Sequence, residues 1–520
     1  MLGVCVLVSS TVAGRLRVAP PVLLVVCGVG LGFIPALRVI SLPPEVMLLL
    51  FLPALLYWES LTTSLREIRS NLRAIVLLST GLVLGTAAAV AWVAHELGLD
   101  WGPAWVLGAA VAPTDATAVG VIARGLPRRT MTILRAESLV NDGTALVIYG
   151  IAIGVTAGQE ELSAGQVGGK LLLAYAGGAV AGLVVAWLAV QTRRRLDNPL
   201  LENVVSVLTP FSAFLLAELV HASGVLAVVI AGLTLSQIGP RLVRADTRQQ
   251  AEAFWRLTTF LLNGALFVLI GLQAHGAARG LGSAEVGEAV KAIALVSAVV
   301  IGTRLVWSYT MPYVIRTLDR RPQQRLRRVG ARQRLVSAIC GFRGAVSLAA
   351  ALAVPDTVAS GAPFPGRDKI VLITSGVVVV TLVVGALALP AVVRFAHLPE
   401  DTAVDEERRL AEAAASEAAY EALPELAARL GVSEGVITRV RAEYDHHLEI
   451  VRANPDNGED EPLRRAEAEY AALRLELIAH KRATVVRLRD QRDIDDTVLR
   501  QIQSKLDIEE VRLARREILD

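Results

Sequence analysis

The stretch Glu137-Ser-Leu-Val-Asn-Asp142 places two carboxylates inside a run that otherwise has the composition of a membrane-spanning helix. The run extends from Thr130 to Thr156. Asp142 lies about 12 residues from its start, or roughly 18 Å at about 1.5 Å per residue, near the middle of a hydrocarbon layer about 30 Å thick. An ionisable group at that depth is unfavourable by several kcal/mol unless it is paired, hydrated or neutralised. The stretch therefore indicates a functional site, with a purely structural acid as the alternative.

A second acid, Asp115, lies at similar depth in Val111-Ala-Pro-Thr-Asp115, in a span that begins near Trp101. Pro113 removes a backbone donor and disrupts the helix around Thr114 and Asp115. Many secondary transporters build ion sites at the membrane midplane from such unwound segments. A kinked but inert helix is the alternative. Two acids on neighbouring spans predict a cation or proton pathway.

Ser138 and Asp142 are four residues apart and share one helix face. Glu137 and Asn141 share a second face, rotated by about 100° from the first. A hydroxyl beside a carboxylate suits a hard monovalent cation, and the lack of nearby His or Cys argues against a transition metal. We therefore expect an Na⁺ site formed by Asp142, Ser138 and the interrupted segment at Thr114 and Asp115, with Asn141 in support.

The composition is that of a membrane protein. Mean hydropathy is +0.51 and 53% of the residues are hydrophobic, which excludes an ordinary soluble domain of 520 residues. The three cysteines show no disulfide or metal-binding spacing. A signal peptide at the N-terminus is the alternative for the first span, although a basic region and an obvious cleavage site are lacking. Thirteen spans are predicted, over residues 1–14, 19–37, 45–64, 72–94, 101–123, 130–156, 168–191, 200–219, 223–239, 253–274, 286–314, 333–354 and 368–396.

Basic residues are concentrated in alternate loops, including Arg193 to Arg195 and the loop from Arg316 to Arg334. By the positive-inside rule, the N-terminus is outside and the C-terminus is cytoplasmic, which requires an odd number of spans. Residues 1–397 are expected to form the transmembrane domain and residues 398–520 a helical cytoplasmic domain. Helical patterns cover residues 405–430, 433–453 and 462–519, with a break at Asn454 to Glu461. His446 and His447 are candidates for a pH sensor. The simpler interpretation of the tail is a solvated helical domain attached to the cytoplasmic face.

Arg343 lies within the twelfth span, in Cys340-Gly-Phe-Arg-Gly-Ala-Val-Ser-Leu348. A guanidinium in lipid needs a partner, and Glu137 lies off the proposed ion-binding face, so we expect a structural ion pair between Glu137 and Arg343. Gly341 and Gly344 predict a second interrupted helix. Spans five and twelve run in opposite directions, as an inverted repeat of spans 1–6 and 8–13 requires.

Four motifs in this order resemble the sodium/proton exchanger family, both the bacterial NhaP-like and the eukaryotic NHE-like members. The motifs are Ala112-Pro-Thr-Asp115, Glu137-Ser-Leu-Val-Asn-Asp142, Leu261-Leu-Asn-Gly264 and Gly341-Phe-Arg-Gly-Ala-Val-Ser347. The resemblance implies an all-α fold of about thirteen transmembrane helices, with crossing unwound helices at spans five and twelve. It also implies a homodimer with an elevator-like motion. By the same resemblance, Asp142 binds the cation and the proton, Thr114, Asp115 and Ser138 are its companions, and Glu137 and Arg343 form a structural pair.

One position departs from the family pattern. In the family, an acid often follows a Leu-Pro-Pro stretch in span three. This chain has Leu52-Pro-Ala-Leu-Leu-Tyr-Trp-Glu59 there, and Trp58 occupies the position where the acid is first expected. Glu59 is one residue later, which rotates its side chain by about 100°. Glu59 is therefore retained as a candidate ligand whose direction is open.

The sequence thus predicts an antiporter of the cell membrane that exchanges Na⁺ for H⁺ and serves pH and sodium homeostasis. Asn141-Asp142 resembles the electroneutral branch of the superfamily, and one titrating acid implies one-for-one exchange. Li⁺ or K⁺ as the cation stays open, as does an ion sensor or channel that signals through the tail. No nucleophile, phosphate loop, cofactor or nucleic-acid site is expected, and the expected partners are the two ions, membrane lipid and a second copy of the chain.

Overall fold

The computed structural model describes residues 2–16, 19–34, 44–116, 119, 126–158, 164–278, 283–318, 330–398, 403–452 and 461–517. The chain divides into two compact units, Met1–Glu400 and Asp401–Asp520. The division lies close to the boundary that the change in composition predicts. Most of the basic loop Arg316–Arg334, and most of the predicted break at 454–461, lie outside the described residues.

The first unit is helical wherever the structure describes it, apart from turns and one isolated bridge between Thr357 and Pro363. A π-helical segment, Leu77–Leu82, joins α4 to α5. The helices are α1 (Leu2–Leu16), α2 (Pro20–Leu31), α3 (Pro44–Thr62), α4 (Leu65–Val76), α5 (Val83–Glu96), α6 (Trp101–Val111), α7 (Arg128–Thr156), α8 (Ala164–Arg193), α9 (Pro199–Leu219), α10 (Gly224–Leu242), α11 (Ala245–Ala278), α12 (Ser283–Leu318), α13 (Ala331–Ile339), α14 (Ala345–Leu352) and α15 (Arg367–Ala396).

The predicted multi-pass helical architecture is confirmed. In the described part of the chain, eight helical runs are long and apolar enough to cross a membrane, and four shorter apolar helices occur at α1, α2, α3 and α6. The short helices α13 and α14 occupy the twelfth predicted span. The exact count of thirteen stays a prediction.

Both predicted helix interruptions are present. α6 ends at Val111, and Ala112 to Ala116 have no helical structure; α13 ends at Ile339, and α14 begins only at Ala345. Pro113 has no amide hydrogen to continue the first helix. The backbone N–H of Asp115 donates to the carbonyl of Phe342 at 2.8 Å, so the two interrupted segments meet.

Three buried apolar clusters surround this meeting point. The first joins α5, α6, α7, α12, α14 and α15; the second joins α1, α2, α3, α7, α11, α13, α14 and α15; the third joins α3, α7, α8, α9, α10 and Trp255 of α11. Because α7 contributes residues to all three clusters, its polar residues from Glu137 to Thr144 are buried among apolar side chains.

The π-helical segment was not predicted. Ser79 lies within it, and the Ser79 carbonyl accepts a hydrogen bond from the hydroxyl of Thr144 on α7 at 2.8 Å. Short π-helical segments inside α-helices are rare, and they are frequent at functional sites. The contact fixes this part of the fourth span beside α7.

The second unit contains α16 (Ala403–Leu430), α17 (Glu434–Arg452), α18 (Glu461–Asp490) and α19 (Asp496–Glu517). Predicting one continuous helix over 462–519 was wrong. The chain turns between α18 and α19, where Arg492 has a φ of 66° and the carboxylate of Asp495 accepts from the N–H of Thr497 at 2.8 Å. α18 packs on α19 through a small core of Ile478, Leu506 and Leu513.

Candidate ion-binding site

A cavity of about 50 Å³ lies beside the two interrupted segments. A water needs roughly 10–15 Å³ of such space, so the cavity accommodates a partly hydrated cation. Seven of the residues that line it carry oxygen or nitrogen in their side chains, and the others are apolar or glycine. The five predicted ligands line it together: Asp142, Asp115, Thr114, Ser138 and Glu59.

Asp142 is the most informative residue of this cavity. It is buried on α7, and its face of the helix also carries Ser138, as the four-residue spacing predicts. Asp142 forms no ion pair with any residue that the structure describes. A buried carboxylate without a cationic partner is costly when ionised, so its charge has to be compensated by a proton or by a cation in the cavity.

The two interrupted segments bring further oxygen atoms to the same place. Asp115 lies against Gly344, close enough that a Cβ on Gly344 would overlap the Asp115 carboxylate. Gly344 immediately precedes α14, so the carboxylate lies at the amino end of that helix. The positive end of a helix dipole favours an anion at this position. Asp115 is therefore held by the backbone of the second segment.

The structure corrects the predicted ion pair. Glu137 pairs with Arg304 of α12 and not with Arg343: the Arg304 guanidinium donates to both carboxylate oxygens of Glu137, with 3.1 Å between Nη2 and Oε2. Both side chains are buried. This bidentate geometry is the arrangement in which a buried Arg–carboxylate pair is most favourable. Arg304 is a charged residue inside the predicted span 286–314, and that position is the signal that could have identified it. The expected pair was chosen by asking which acid could neutralise Arg343, so a second buried arginine was not considered.

Arg343 has a different role in the structure. Its Nε donates to the carbonyl of Val111 at 3.0 Å, and its Nη1 donates to the carbonyl of Gly341. Val111 is the last residue of α6, and Gly341 follows the end of α13. Carbonyls at helix carboxyl ends carry partial negative charge and lack helical partners, so a guanidinium is stabilised between them. Arg343 thus joins the ends of the two interrupted helices.

Thr114 and Asn141 connect this scaffold to the cavity. The hydroxyl of Thr114 donates to Oε1 of Glu137 at 3.0 Å, and Nδ2 of Asn141 donates to the same hydroxyl at 2.8 Å and to the Thr114 carbonyl at 3.1 Å. The Ser138 hydroxyl accepts from the N–H of Ala116 at 3.3 Å. Side chains of α7 therefore hold the first interrupted segment in place. Asn141 therefore contacts the first interrupted segment through Thr114, and its supporting role stays a prediction.

Glu59 faces the cavity in spite of its displaced position in the sequence. Trp58 packs instead against the third apolar cluster. Two further polar residues of the lining belong to the quoted motifs but were not predicted as ligands: Asn263 of α11 and Ser347 of α14. Polar side chains thus reach the cavity from α3 and α11 as well as from α7 and the interrupted segments.

Comparison with protein families matches residues 3–395 to the family described as sodium/hydrogen exchanger, transmembrane. An uncharacterised Na⁺/H⁺ exchanger of Mycobacterium tuberculosis is 46% identical over 511 residues, which cover 98% of this chain and 94% of that protein. The Na⁺/H⁺ antiporter ApNhaP of Aphanothece halophytica is 30% identical, over 77% of this chain and 74% of its own length.

The fold also resembles that of a solved structure. The sodium proton antiporter MjNhaP1 of Methanocaldococcus jannaschii at pH 8 matches with a TM-score of 0.57 and 19% sequence identity. The match covers 76% of this chain and 98% of that chain. At this identity the likeness shows a common fold.

Proposed function

The chain belongs to the sodium/hydrogen exchanger family, and we propose that it exchanges Na⁺ for H⁺ across the membrane in which it is embedded. One observation carries this proposal. Asp142 is buried, lines an oxygen-rich cavity between two interrupted helices, and has no ion-pair partner among the described residues. Family members are transporters, so the chain is not an enzyme.

The exchange follows from competition for one carboxylate. A proton neutralises Asp142 by binding to it, and Na⁺ neutralises it by coordination, with Asp115, Ser138, Thr114 and Glu59 supplying further oxygens. The two ligands exclude each other because each removes the charge that attracts the other. Whichever ion is bound neutralises Asp142, and the loaded site can then be carried across, whereas moving an ionised Asp142 without an ion through a low-dielectric barrier costs more free energy.

One Na⁺ for one H⁺ gives electroneutral exchange. Glu137 does not add a second titrating site in this scheme, because Arg304 already compensates its charge. We place the protein in the cell membrane as a homodimer surrounded by lipid, with the N-terminus outside and the tail in the cytoplasm, where it serves pH and sodium homeostasis. The cycle uses the two ions and requires no cofactor.

Purified protein in proteoliposomes tests the proposal. An imposed pH gradient is followed with a fluorescent dye, and addition of Na⁺ should collapse it for the wild type. Asp142→Asn keeps the size and polarity of the side chain but cannot exchange a proton or balance a cation, so we expect no exchange between about pH 6 and 9. Asp197→Asn is the matched control, since Asp197 is 90% exposed in its pair with Arg244.

The same assay separates the alternatives. Replacing Na⁺ by Li⁺ or K⁺ measures selectivity, and clamping the membrane potential tests electroneutrality, because one-for-one exchange does not respond to it. Coupled exchange that survives in Asp142→Asn would contradict the assignment and make Asp115 the next candidate. A wild-type protein that passes Na⁺ without moving protons would instead indicate a channel.

A further inference from the structure

Ser347 is a buried hydroxyl whose role the predicted ligand set does not include. It lies in the first turn of α14, directly after the second interrupted segment, and is 1% exposed. Its Oγ has no hydrogen-bond partner in the described structure, and the residue lines the cavity with Asp115 and Asp142. Burying a hydroxyl without a partner is unfavourable, and Ser347 lines the cavity, so its hydroxyl is available to a ligand there.

The other hydroxyls of the cavity are already engaged. Thr114 donates to Glu137 and accepts from Asn141, and Ser138 accepts from the N–H of Ala116. The Ser347 hydroxyl retains its full hydrogen-bonding capacity. Hard monovalent cations prefer oxygen ligands, and a buried site has to replace the water that the cation loses. An unengaged oxygen on the wall of this cavity meets that requirement.

The location of Ser347 gives this oxygen a particular consequence. The five predicted ligands come from α3, from α7 and from the segment after α6, and none comes from the second interrupted segment or the helix that follows it. Asp115 already contacts that second segment through Gly344 and through its N–H bond to Phe342. A cation held by Asp142 on one side and Ser347 on the other would join α7 to the helix that follows the second interrupted segment.

We propose that the Ser347 hydroxyl is a direct ligand of the transported cation, supplied by the second interrupted span, and that it sets cation affinity without taking part in proton binding. This inference rests on the proposed exchange at Asp142. A proton on Asp142 needs no other ligand, whereas a cation needs several. Loss of the hydroxyl therefore weakens binding of Na⁺ and leaves proton binding unchanged.

Three substitutions test the proposal. Ser347→Ala removes the oxygen, Ser347→Thr keeps the hydroxyl, and Ser347→Cys keeps the size but replaces oxygen by a soft sulfur that is a poor Na⁺ ligand. The control is Ser297→Ala: Ser297 is 2% exposed, its Oγ also lacks a partner in the described structure, and it lies on α12 outside this cavity. It therefore reports the effect of deleting a buried hydroxyl elsewhere.

The measurements are the Na⁺ concentration dependence of exchange at fixed pH and calorimetric titration of the purified protein with Na⁺. We expect Ser347→Ala and Ser347→Cys to raise the Na⁺ KM and the binding Kd by about tenfold, the effect of losing one good polar contact. The Ser347→Thr variant and the Ser297→Ala control should stay close to the wild type. The midpoint pH of proton binding to the purified protein, measured without Na⁺, should be the same in all variants.

The outcomes are distinguishable. Unchanged Na⁺ affinity in Ser347→Ala would overturn the proposal, as would a lower melting temperature with an unchanged KM, which indicates a structural hydroxyl. If Ser347→Ala does not fold, Ser347→Cys decides by the same criterion, since it preserves the packing. Absence of exchange in the wild type would refute the proposed function itself and not this inference.

Discussion

Two acids on one helix differ in their surroundings and therefore in their chemistry. Glu137 is neutralised by a bidentate contact with Arg304, whereas Asp142, five residues later, faces a cavity without an ion-pair partner in the described structure. A paired buried charge is a structural element, and an unpaired one must bind something. The distinction assigns stability to Glu137 and ion coupling to Asp142.

The Glu137–Arg304 pair should determine stability more than ion affinity. Glu137→Gln leaves the Arg304 guanidinium buried and uncompensated, which typically costs about 3–5 kcal/mol, and the melting temperature in detergent should fall accordingly. Asp197→Asn, which breaks the exposed pair with Arg244, should cost at most about 1 kcal/mol. Exchanging the two residues, Glu137→Arg with Arg304→Glu, should partly restore stability. Recovery with Arg343→Glu in place of Arg304→Glu would show that the partner is misassigned.

Competition at Asp142 sets the pH dependence of transport. As the pH falls, protons occupy the carboxylate and Na⁺ has to displace them, so apparent Na⁺ affinity must weaken. At pH values where Asp142 is mostly protonated, the Na⁺ KM should rise by about tenfold for each unit by which the pH falls, because one proton competes with one cation. Initial rates over about pH 6 to 9 measure this slope. An Na⁺ KM that does not depend on pH would mean that the two ions bind at separate sites.

At the scale of single residues, the sequence predicts which charged residues matter better than it predicts which residues they contact. Intramembrane charge identified Asp142, Asp115, Glu137 and Arg343, since each is too costly in lipid to be incidental. Which arginine contacts Glu137 depends on how α12 packs beside α7, and no spacing along the chain contains that information. Ser347 was overlooked for a related reason: a serine in an apolar span is common, and only its lack of a partner beside the cavity makes it informative.

At the scale of helices, the crossing of two interrupted spans forms the site. Arg343 joins the carboxyl ends of α6 and α13, while Asp115 lies at the amino end of α14. Each charge meets the helix end of opposite polarity, so the broken helices are compensated electrostatically without a continuous ladder of backbone bonds. The crossing therefore fixes the position of the cavity and of the oxygen atoms that line it.

Substitution of Gly344 tests how closely the two interrupted segments have to approach each other. A methyl group there would overlap Asp115 and force the segments apart, so Gly344→Ala should abolish most exchange and destabilise the protein by about 1–3 kcal/mol, as overpacking does. Gly302→Ala on α12 is the control, because a Cβ at that position has no neighbour within 4 Å. Transport rate and melting temperature are measured for both variants. Wild-type exchange by Gly344→Ala would show that the crossing tolerates separation.

Sequence patterns predicted these elements to different degrees. Pro113 and the pair Gly341 and Gly344 predicted both interruptions, because each has a direct effect on the backbone. The π-helical segment at Leu77–Leu82 depends on a contact with Thr144 from another helix, and apolar periodicity does not reveal it. The turn after Asp490 was missed because the surrounding residues are good helix formers, and packing of α18 on α19 requires the reversal.

At the scale of the molecule, the chain joins an apolar unit to a charged helical one. All four family motifs and every residue that lines the cavity precede residue 400, and Met1–Glu400 forms a compact unit by its own contacts. The second unit has its own core at Ile478, Leu506 and Leu513, with ion pairs between α18 and α19 such as Arg482 with Asp507. Composition predicted the division because burial in lipid and solvation in water select different residues.

The tail should be dispensable for exchange itself. A chain that ends at Glu400 retains the complete cavity, so it should still exchange Na⁺ for H⁺ in proteoliposomes. Its pH profile should shift, because removal of the tail removes an excess of acidic residues together with His446 and its Glu467 neighbour, which lie 3.5 Å apart. Rates are compared with the full chain at equal amounts of folded protein, with His446→Ala in the full chain to test whether that residue alone accounts for the shift. Complete loss of transport in a folded truncated protein would show that the tail takes part in the exchange cycle itself.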